Sequence, residues 1–277
     1  MKRAFLTFAS SDISPTLKRI HGEAELIQVY DQIITMTERD LDTAFRNRFR
    51  KQLHHGTRGY GYWSWKPQCI LQALEELDDG DLLQYTDAGC QLRVQGKPRL
   101  MEYFNMAEAN KLGVLAFQAI SPETPLAYDG RKLPDSRNCV WTKGDLLERF
   151  NVRNRDDVLQ APAIGAGILF IRKCPQSISL IQQWLDVILE DFSLIDDSPS
   201  QSENQPEFIE HRHDQSIFSI LALQNDVQTV SSYEYMYPSA TDINDPDWEA
   251  LKDFPIHAKR LRKRSLISKL RRLFLVR

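Results

Sequence analysis

The sequence predicts an α/β fold in which a mostly parallel sheet is flanked by helices. Apolar runs rich in β-branched and aromatic residues, typical of buried strands, occupy residues 3–9, 81–85 and 163–171. Between them lie segments whose apolar residues recur every three or four positions, as on one face of a helix. Strands joined by crossover helices show this alternation, so we expect a doubly wound sheet in a single domain.

Local signals indicate where the other elements begin and end. Pro67 suits the first turn of a helix, and the segment 78–80, Asp-Asp-Gly, ends that helix near Leu77. Residues 191–210 mix Ser, Pro, Asp, Glu and Gln, which predicts a flexible loop. The other predicted elements are helices at 14–21, 40–53, 177–189 and 213–223 and a strand at 26–30.

Composition excludes several classes of protein. The 277 residues are 42% hydrophobic and 26% charged, which excludes collagen-like, coiled-coil and wholly disordered chains. No run approaches the roughly 18–20 apolar residues of a membrane span, and the apolar part of the N-terminus is too short for a signal peptide. The four cysteines are scattered without a Cys-x-x-Cys pair, which argues against a structural metal site or a disulfide framework. We therefore expect a reduced, cytoplasmic setting.

A basic tail follows the body of the chain. Nine of the 35 Lys and Arg residues lie in 259–277, which contains no acid. On a helical projection the apolar residues of 266–277 share one sector. The sequence therefore predicts a domain at 1–257 and, at 258–277, an amphipathic tail that binds an anionic membrane surface. A nucleic-acid partner is disfavoured because it gains nothing from the apolar stripe, whereas a solvated or self-packed end stays open.

Two candidate ligand-binding positions follow strands of the predicted sheet. The polar segment 10–12 comes after the first strand, and Asp87 follows the strand at 81–85. Ligands collect at the carboxyl ends of the strands of an open parallel sheet. An acid there can hold Mg²⁺ or Mn²⁺ against two phosphates, and the small residues Ala88 and Gly89 leave room for them. An Asp before Ala-Gly is also a common turn residue, so this signal alone does not separate a site from a turn.

The segment 58–67 adds a second indication. It contains four aromatic residues, two glycines and the cations Arg58 and Lys66. Sugars and nucleobases stack on aromatic rings, while cations bind phosphate oxygens. The segment therefore predicts part of a ligand site, although an aromatic corner of the core with two surface cations has the same composition.

Four segments together resemble bacterial glycosyltransferases of the GT-A fold that act in capsule, lipopolysaccharide or other surface-polysaccharide biosynthesis. They read GYGYWSWKP, DLLQYTDAGC, AGILFIRK and HRHDQSIFSIL, and the likeness extends over most of 3–257. The resemblance implies a GT-A-like, Rossmann-like sheet in one domain. It also implies a nucleotide-sugar donor, a UDP- or GDP-sugar, whose sugar passes to a hydroxyl of a glycan or lipid-linked acceptor.

The resemblance also implies a metal site, with one departure from the family pattern. Asp87 matches the first acid of the Asp-x-Asp motif that holds Mn²⁺ or Mg²⁺, but Gly89 stands where the second acid belongs. Strict dependence on a metal is therefore in doubt, or another residue supplies a ligand. His257 has the late position of a histidine that completes the metal shell in related enzymes, although a surface or packing role is the more common one for a lone histidine.

The resemblance places the reacting sugar above Asp214 and Gln215, which are the catalytic residues it implies. In an inverting enzyme Asp214 would be the base that deprotonates the acceptor hydroxyl. In a retaining enzyme it would stabilise the cationic sugar or orient the acceptor. An acid in the first turn of a helix also stabilises that helix without any catalytic role.

The remaining implied residues bind the donor. Lys66 is the first choice for the phosphate cation, Arg58 is the second, and residues 7–11 would line the nucleoside pocket. Gly165 and Gly167 would allow a close approach of backbone to ligand, and a tight strand crossing would explain them equally. The implied donor-binding residues are Thr7, Ser10, Ser11, Arg58, Tyr62, Trp65, Lys66, Asp87, Ala88, Gly89, Gly165 and Gly167.

The sequence thus predicts a glycosyltransferase, peripheral to the inner face of the cytoplasmic membrane. Two alternatives stay open. One is a nucleotidyltransferase or a nucleotide-sugar hydrolase that uses the same crevice. The other is a catalytically silent glycan- or membrane-binding protein, because the second acid of the motif is missing at Gly89.

Overall fold

A six-stranded sheet forms the centre of the computed structural model, which describes residues 1–122, 126 and 128–262. The strands, with a separate two-stranded pair formed by β4 and β8, are β1 (Arg3–Phe8), β2 (Gln32–Met36), β3 (Leu82–Thr86), β4 (Gln91–Leu92), β5 (Val114–Gln118), β6 (Ile164–Arg172), β7 (Gln228–Ser231) and β8 (Ile256–His257). The large sheet has the order β2-β1-β3-β6-β5-β7. Only β6 runs antiparallel to its neighbours, so the predicted mostly parallel sheet is confirmed.

Helices cover both faces of this sheet. They are α1 (Pro15–Ile27), α2 (Thr43–Arg48), α3 (Gly59–Tyr62), α4 (Trp65–Glu75), α5 (Lys97–Ala109), α6 (Asn138–Trp141), α7 (Gly144–Arg149), α8 (Asp156–Leu159), α9 (Pro175–Glu190) and α10 (Asp214–Gln224). Three short 3₁₀ turns lie at Val94–Gly96, Phe192–Leu194 and Ser232–Glu234. The predicted single domain with flanking helices is thus observed.

Alternation along the strands sends side chains into two cores. In β1, Leu6 joins the core beneath α4, α9 and α10, whereas its neighbour Phe5 joins the core beneath α1 and α5. The first core includes Trp184 of α9 and Phe218 of α10, and the second includes Phe104 of α5. Burial on both faces explains why β1, β3 and β6 are mostly apolar in sequence.

Two predicted elements are wrong. The predicted strand at 26–30 does not form, because α1 continues to Ile27 and β2 begins only at Gln32. Ile20, Ala24 and Ile27 are buried at helical spacing, while Leu26 is 69% exposed, so the helical period outweighs the local preference for a strand. The helix predicted at 40–53 is shorter, since α2 ends at Arg48 and turns follow it.

The chain stays in contact with the domain beyond the predicted boundary at residue 257. The Ala258 N–H donates to the Tyr235 carbonyl at 3.0 Å, and the Leu261 N–H donates to the Gly89 carbonyl at 2.7 Å. The predicted amphipathic helix at 266–277 lies outside the described residues. Within the described part of the chain, no helix is both long enough and apolar enough to cross a membrane.

Candidate active site

A cavity of about 650 Å³ opens where β1 and β3 end. Because β6 runs antiparallel to β3, its first half lies at the same edge of the sheet. The start of α10 completes the wall. The lining residues come from the segments 8–13, 55–66, 87–90, 165–168, 212–215, 235–236 and 258–262.

Three charged side chains, which we call the charged trio, meet in this wall: Lys66, Asp87 and Asp214. The Lys66 Nζ lies 2.5 Å from Asp214 Oδ2 and 3.4 Å from Asp87 Oδ1. Lys66 lies in the first turn of α4, Asp87 directly follows β3, and Asp214 is the first residue of α10. The side chains of Lys66 and Asp214 are buried, whereas that of Asp87 is 39% exposed. The structure therefore brings together three of the predicted site residues, with Asp87 open to a ligand.

Burial and charge act in opposite directions on the trio. Burial alone would lower the pKa of the Lys66 ammonium, but the carboxylates of Asp214 and Asp87 outweigh burial and raise it above its usual value. Burial raises the pKa of Asp214 to about 6 despite the neighbouring Lys66 ammonium. Lys66 is therefore charged at neutral pH, and Asp214 changes its charge in the range where a proton acceptor is effective.

Asp87 is oriented by its neighbours in the sheet. The Tyr85 hydroxyl donates to Asp87 Oδ1 at 2.7 Å, and the Asp87 N–H donates to the Gly167 carbonyl at 2.8 Å. A methyl group at Gly167 would lie 3.0 Å from Asp87 Oδ2, and one at Gly165 would lie 3.0 Å from the Tyr235 hydroxyl. The two glycines thus leave space for polar side chains of the cavity wall.

The segment 59–63 forms a left-handed helical turn at the cavity. All five residues have positive φ values, between 55° and 92°. The Tyr62 N–H donates to the Arg58 carbonyl at 2.7 Å, and the Trp63 N–H donates to the Gly59 carbonyl at 3.3 Å. Each non-glycine residue in this conformation costs about 1–2 kcal/mol. Such strain persists only where the surrounding structure enforces it, and here it places Tyr60 and Trp63 in the lining.

We expect Gly61→Ala to destabilise the protein by about 1–2 kcal/mol or more, because alanine strains this conformation. Gly61 has a φ of 92°, and a methyl group there would lie 2.8 Å from Leu53 Cδ2. Urea unfolding measures the loss. The control is Gly22→Ala in α1, where the space is open and helix propensity favours alanine by about 0.5–1 kcal/mol. Equal stability of the two variants would contradict the strained turn.

His213 fixes the entry to α10. Its φ of 54° and ψ of −123° are unusual for a residue with a side chain. Its Nδ1 lies 2.8 Å from the Ile195 carbonyl, to which it must donate, and its ring lies 5.0 Å from Tyr62 and 5.6 Å from Trp63. Burial lowers the pKa of His213, so the ring is neutral at neutral pH. This packing holds Asp214 where Lys66 reaches it.

His257 lies outside the cavity lining, which contradicts the prediction that it is a metal ligand. Its ring is fully buried, stacks on Trp248 and places Nε2 2.7 Å from the Leu251 carbonyl. In the described residues, no three His, Cys, Asp or Glu side chains are grouped so as to hold a metal ion. Asp87 Oδ1 already faces the Tyr85 hydroxyl and Lys66. These residues therefore do not fit a divalent cation held by the protein alone.

Three residues of the predicted donor site also lie outside the lining. Thr7 is fully buried within β1. Ser11 turns its hydroxyl toward His55 at 3.3 Å. Tyr62 packs against Phe192 and His213. The predicted residues that do line the cavity are Ser10, Arg58, Trp65, Lys66, Asp87, Ala88, Gly89, Gly165, Gly167, Asp214 and Gln215.

Three of the four arginines of the lining, Arg212, Arg260 and Arg262, were not predicted as site residues. Arg212 lies next to the histidines before α10, and its guanidinium stacks 3.9 Å from the Trp141 ring. Arg260 and Arg262 also line the cavity, although the sequence assigns them to a membrane-binding tail. The run of cations at 259–264 was the only sequence signal for Arg260 and Arg262. Because no acid interrupts it, it resembled the start of one continuous basic tail.

No protein-family model matches the chain, and no characterised protein matches it in sequence. Similar solved structures include a glycosyltransferase involved in glycosylation of the major capsid of PBCV-1, with 11% identity, a TM-score of 0.48 and coverage of 99% of this chain and 100% of that one. The galactosyltransferase LgtC shows 12% identity, a TM-score of 0.40 and coverage of 92% and 86%. A 4-diphosphocytidyl-2C-methyl-D-erythritol synthase from Anaerococcus prevotii shows 11% identity, a TM-score of 0.36 and coverage of 100% and 97%. Identities this low assign neither a family nor an activity to the chain.

Proposed function

We propose that the protein is a glycosyltransferase that moves a sugar from a UDP- or GDP-sugar to a hydroxyl of a glycan or lipid-linked acceptor. The observation that carries this proposal is the charged trio. It places a buried acid, Asp214, and a half-exposed acid, Asp87, on one ammonium at the open edge of the sheet. A cavity of about 650 Å³ falls within the usual range for small-molecule sites, about 300–1,000 Å³.

The reaction exchanges one carbon–oxygen bond for another. The acceptor oxygen bonds to the anomeric carbon of the donor, and the bond from that carbon to the β-phosphate oxygen breaks with its electron pair. The nucleoside diphosphate leaves with this charge, while the acceptor hydroxyl loses its proton. Asp214, whose pKa is about 6, suits the acceptor of that proton in an inverting reaction. In a retaining reaction the same carboxylate would face the cationic sugar, and the anomeric configuration of the product distinguishes the two.

The aromatic residues of the lining suit the uncharged parts of the donor. Tyr60 and Trp63, held by the left-handed turn, and Trp65, stacked on Phe8 at 3.8 Å, form one side of the cavity. Nucleobases and sugar rings both pack on such rings. This aromatic side adjoins the charged trio through Lys66, so a donor bound along it would carry its reactive carbon toward the acids.

The cellular setting is part of the proposal. The resemblance to surface-polysaccharide enzymes and the basic run at 259–277 favour a lipid-linked acceptor at the inner face of the cytoplasmic membrane. Sedimentation with vesicles containing anionic phosphatidylglycerol tests this setting. The full chain should sediment, and a chain that ends at residue 262 should not.

The activity is tested with a panel of UDP- and GDP-sugars, with release of nucleoside diphosphate as the measurement. We expect one donor to react and Asp87→Asn to reduce the rate at least about tenfold, because the amide no longer balances Lys66 at the open side of the trio. The matched control is Asp79→Asn, an exposed acid outside the cavity. Release of a sugar 1-phosphate instead would indicate cleavage within the diphosphate, as by a nucleotidyltransferase or a nucleotide-sugar hydrolase. No binding of any nucleotide would leave only the catalytically silent alternative.

A further inference from the structure

The charged trio does not supply positive charge to a ligand. The trio contains two acidic side chains and a single ammonium, with Lys66 Nζ 2.5 Å from Asp214 Oδ2 and 3.4 Å from Asp87 Oδ1. A nucleoside diphosphate bound beside Asp87 would therefore meet a net negative charge. Cations must come from elsewhere in the cavity, because phosphate oxygens bind most strongly to charged donors.

Two arginines of the lining form no ion pair within the residues that the structure describes. Arg212 lies 3.2 Å from Glu210, and Arg58 lies 3.8 Å from Asp197. Arg260 and Arg262, in contrast, form no ion pair with any residue in 1–122, 126 or 128–262. These two guanidinium groups are the available positive charge of the described wall.

The backbone fixes both arginines against the turn that carries Asp87. Between them, the Leu261 N–H donates to the Gly89 carbonyl at 2.7 Å. The guanidinium of Arg19 donates to the Ala88 carbonyl at 2.6 Å and to the Leu261 carbonyl at 3.4 Å, which ties the two segments together. Their position therefore follows from contacts with the cavity wall.

The arginine segment lies beside Gly89. A methyl group at this position would lie 3.4 Å from Arg260 Cα and 3.8 Å from Arg262 Nε. The family pattern has the second metal-binding acid at the position of Gly89. In this structure residues 260–262 lie beside that position. The space that the side chain of an acid would occupy at position 89 thus adjoins the Arg262 guanidinium. Two cations therefore lie where the family pattern has a carboxylate.

We propose that Arg260 and Arg262 bind the diphosphate of the donor and balance the charge of the leaving group where the fold family uses a divalent cation. This inference rests on the proposed glycosyltransferase function. Guanidinium groups suit the role, because they remain charged and can donate two parallel hydrogen bonds to phosphate oxygens. As the leaving diphosphate gains negative charge, neighbouring guanidinium groups stabilise it electrostatically.

Calorimetric titration of the full chain tests the inference. UDP and GDP, and the nucleosides uridine and guanosine, are titrated in buffer with EDTA and in buffer with Mn²⁺. The variant is Arg260→Gln with Arg262→Gln. The matched control removes the same charge outside the cavity, through Arg149→Gln with Arg155→Gln. Circular dichroism confirms that each variant is folded.

We expect the wild type to bind one diphosphate equally well, within about threefold, with EDTA and with Mn²⁺. The arginine variant should bind it at least about tenfold more weakly, since each lost charge-assisted hydrogen bond contributes that much or more. The nucleosides should bind both proteins alike, and the control should match the wild type. Binding that EDTA abolishes, or a variant that binds like the wild type, would overturn the inference and leave the proposed function standing. Failure of every nucleotide to bind would overturn both.

Discussion

Replacing Asp214 with asparagine is expected to lower the rate of sugar transfer about 100-fold or more, the usual contribution of a positioned proton acceptor. Asparagine keeps the shape of the side chain and an oxygen for Lys66, which lies 2.5 Å from Asp214 Oδ2. The proton acceptor is lost, while donor binding is retained. Nucleoside-diphosphate release at saturating donor measures the rate, and calorimetry with the same donor measures binding.

The pH profile adds an independent readout to this variant. A base works in its ionised form, so the wild-type rate should fall as the pH drops through about 6, the pKa to which burial raises Asp214. Asp156→Asn is the control, because Asp156 is also the first residue of a helix but lies outside the cavity. A matching loss in Asp156→Asn, or an Asp214→Asn variant with wild-type rate, would reduce Asp214 to a helix-stabilising residue.

Lys66→Met is expected to destabilise the fold by about 3–5 kcal/mol, because removing one partner leaves buried charge without a counterion. The Asp214 side chain is buried beside Lys66, and the Asp87 carboxylate faces the same ammonium. Urea unfolding at pH 8 measures the loss. Lys111→Met, an exposed lysine, is the control and should have little effect.

The loss of unfolding free energy caused by Lys66→Met should be smaller at low pH. Loss of the ammonium raises the folded-state pKa of Asp214 further above its unfolded value. A protein with such an acid gains stability as the pH falls. The loss should therefore be smaller at pH 5 than at pH 8, and the added change Asp214→Asn should recover part of it. A deficit that is the same at both pH values would mean that Lys66 stabilises the core by packing alone.

Much of the fold follows from local sequence signals. The strands β1, β3 and β6 are mostly apolar because both faces of the sheet are covered, so they stand out from the surrounding sequence. Pro67 and the Asp-Asp-Gly turn mark α4 for similar local reasons. The strand predicted at 26–30 fails because short apolar runs suit either a helix or a strand, and only packing separates the two.

The site was predictable where a single position determines the chemistry. Asp87 follows a strand, and the end of a strand in an open sheet is a ligand position by topology alone. The ion pair of Lys66 with Asp214 joins residues 148 positions apart, so no spacing in the sequence could reveal it. The predicted phosphate cation is thus already paired with two acids.

Contacts between distant parts of the chain also determine the positions of Arg260, Arg262 and His257, so sequence spacing did not predict them. Arg260 and Arg262 lie at the cavity because their segment hydrogen-bonds to residues far away in the sequence, as in the contact of Leu261 with Gly89. His257 lies only three positions before Arg260, yet its ring turns inward onto Trp248. Backbone pairing between distant segments decides which residues of this stretch face the ligand.

The most direct test of the central claim is a crystal structure of the protein with the nucleoside diphosphate, UDP or GDP, that binds it best. We expect the base or ribose to lie against Tyr60, Trp63 or Trp65, and the β-phosphate to lie at the cavity mouth beside Asp87 and Arg262. The proposed donor site is refuted if the nucleotide binds to another surface, or if the cavity stays empty at a saturating nucleotide concentration.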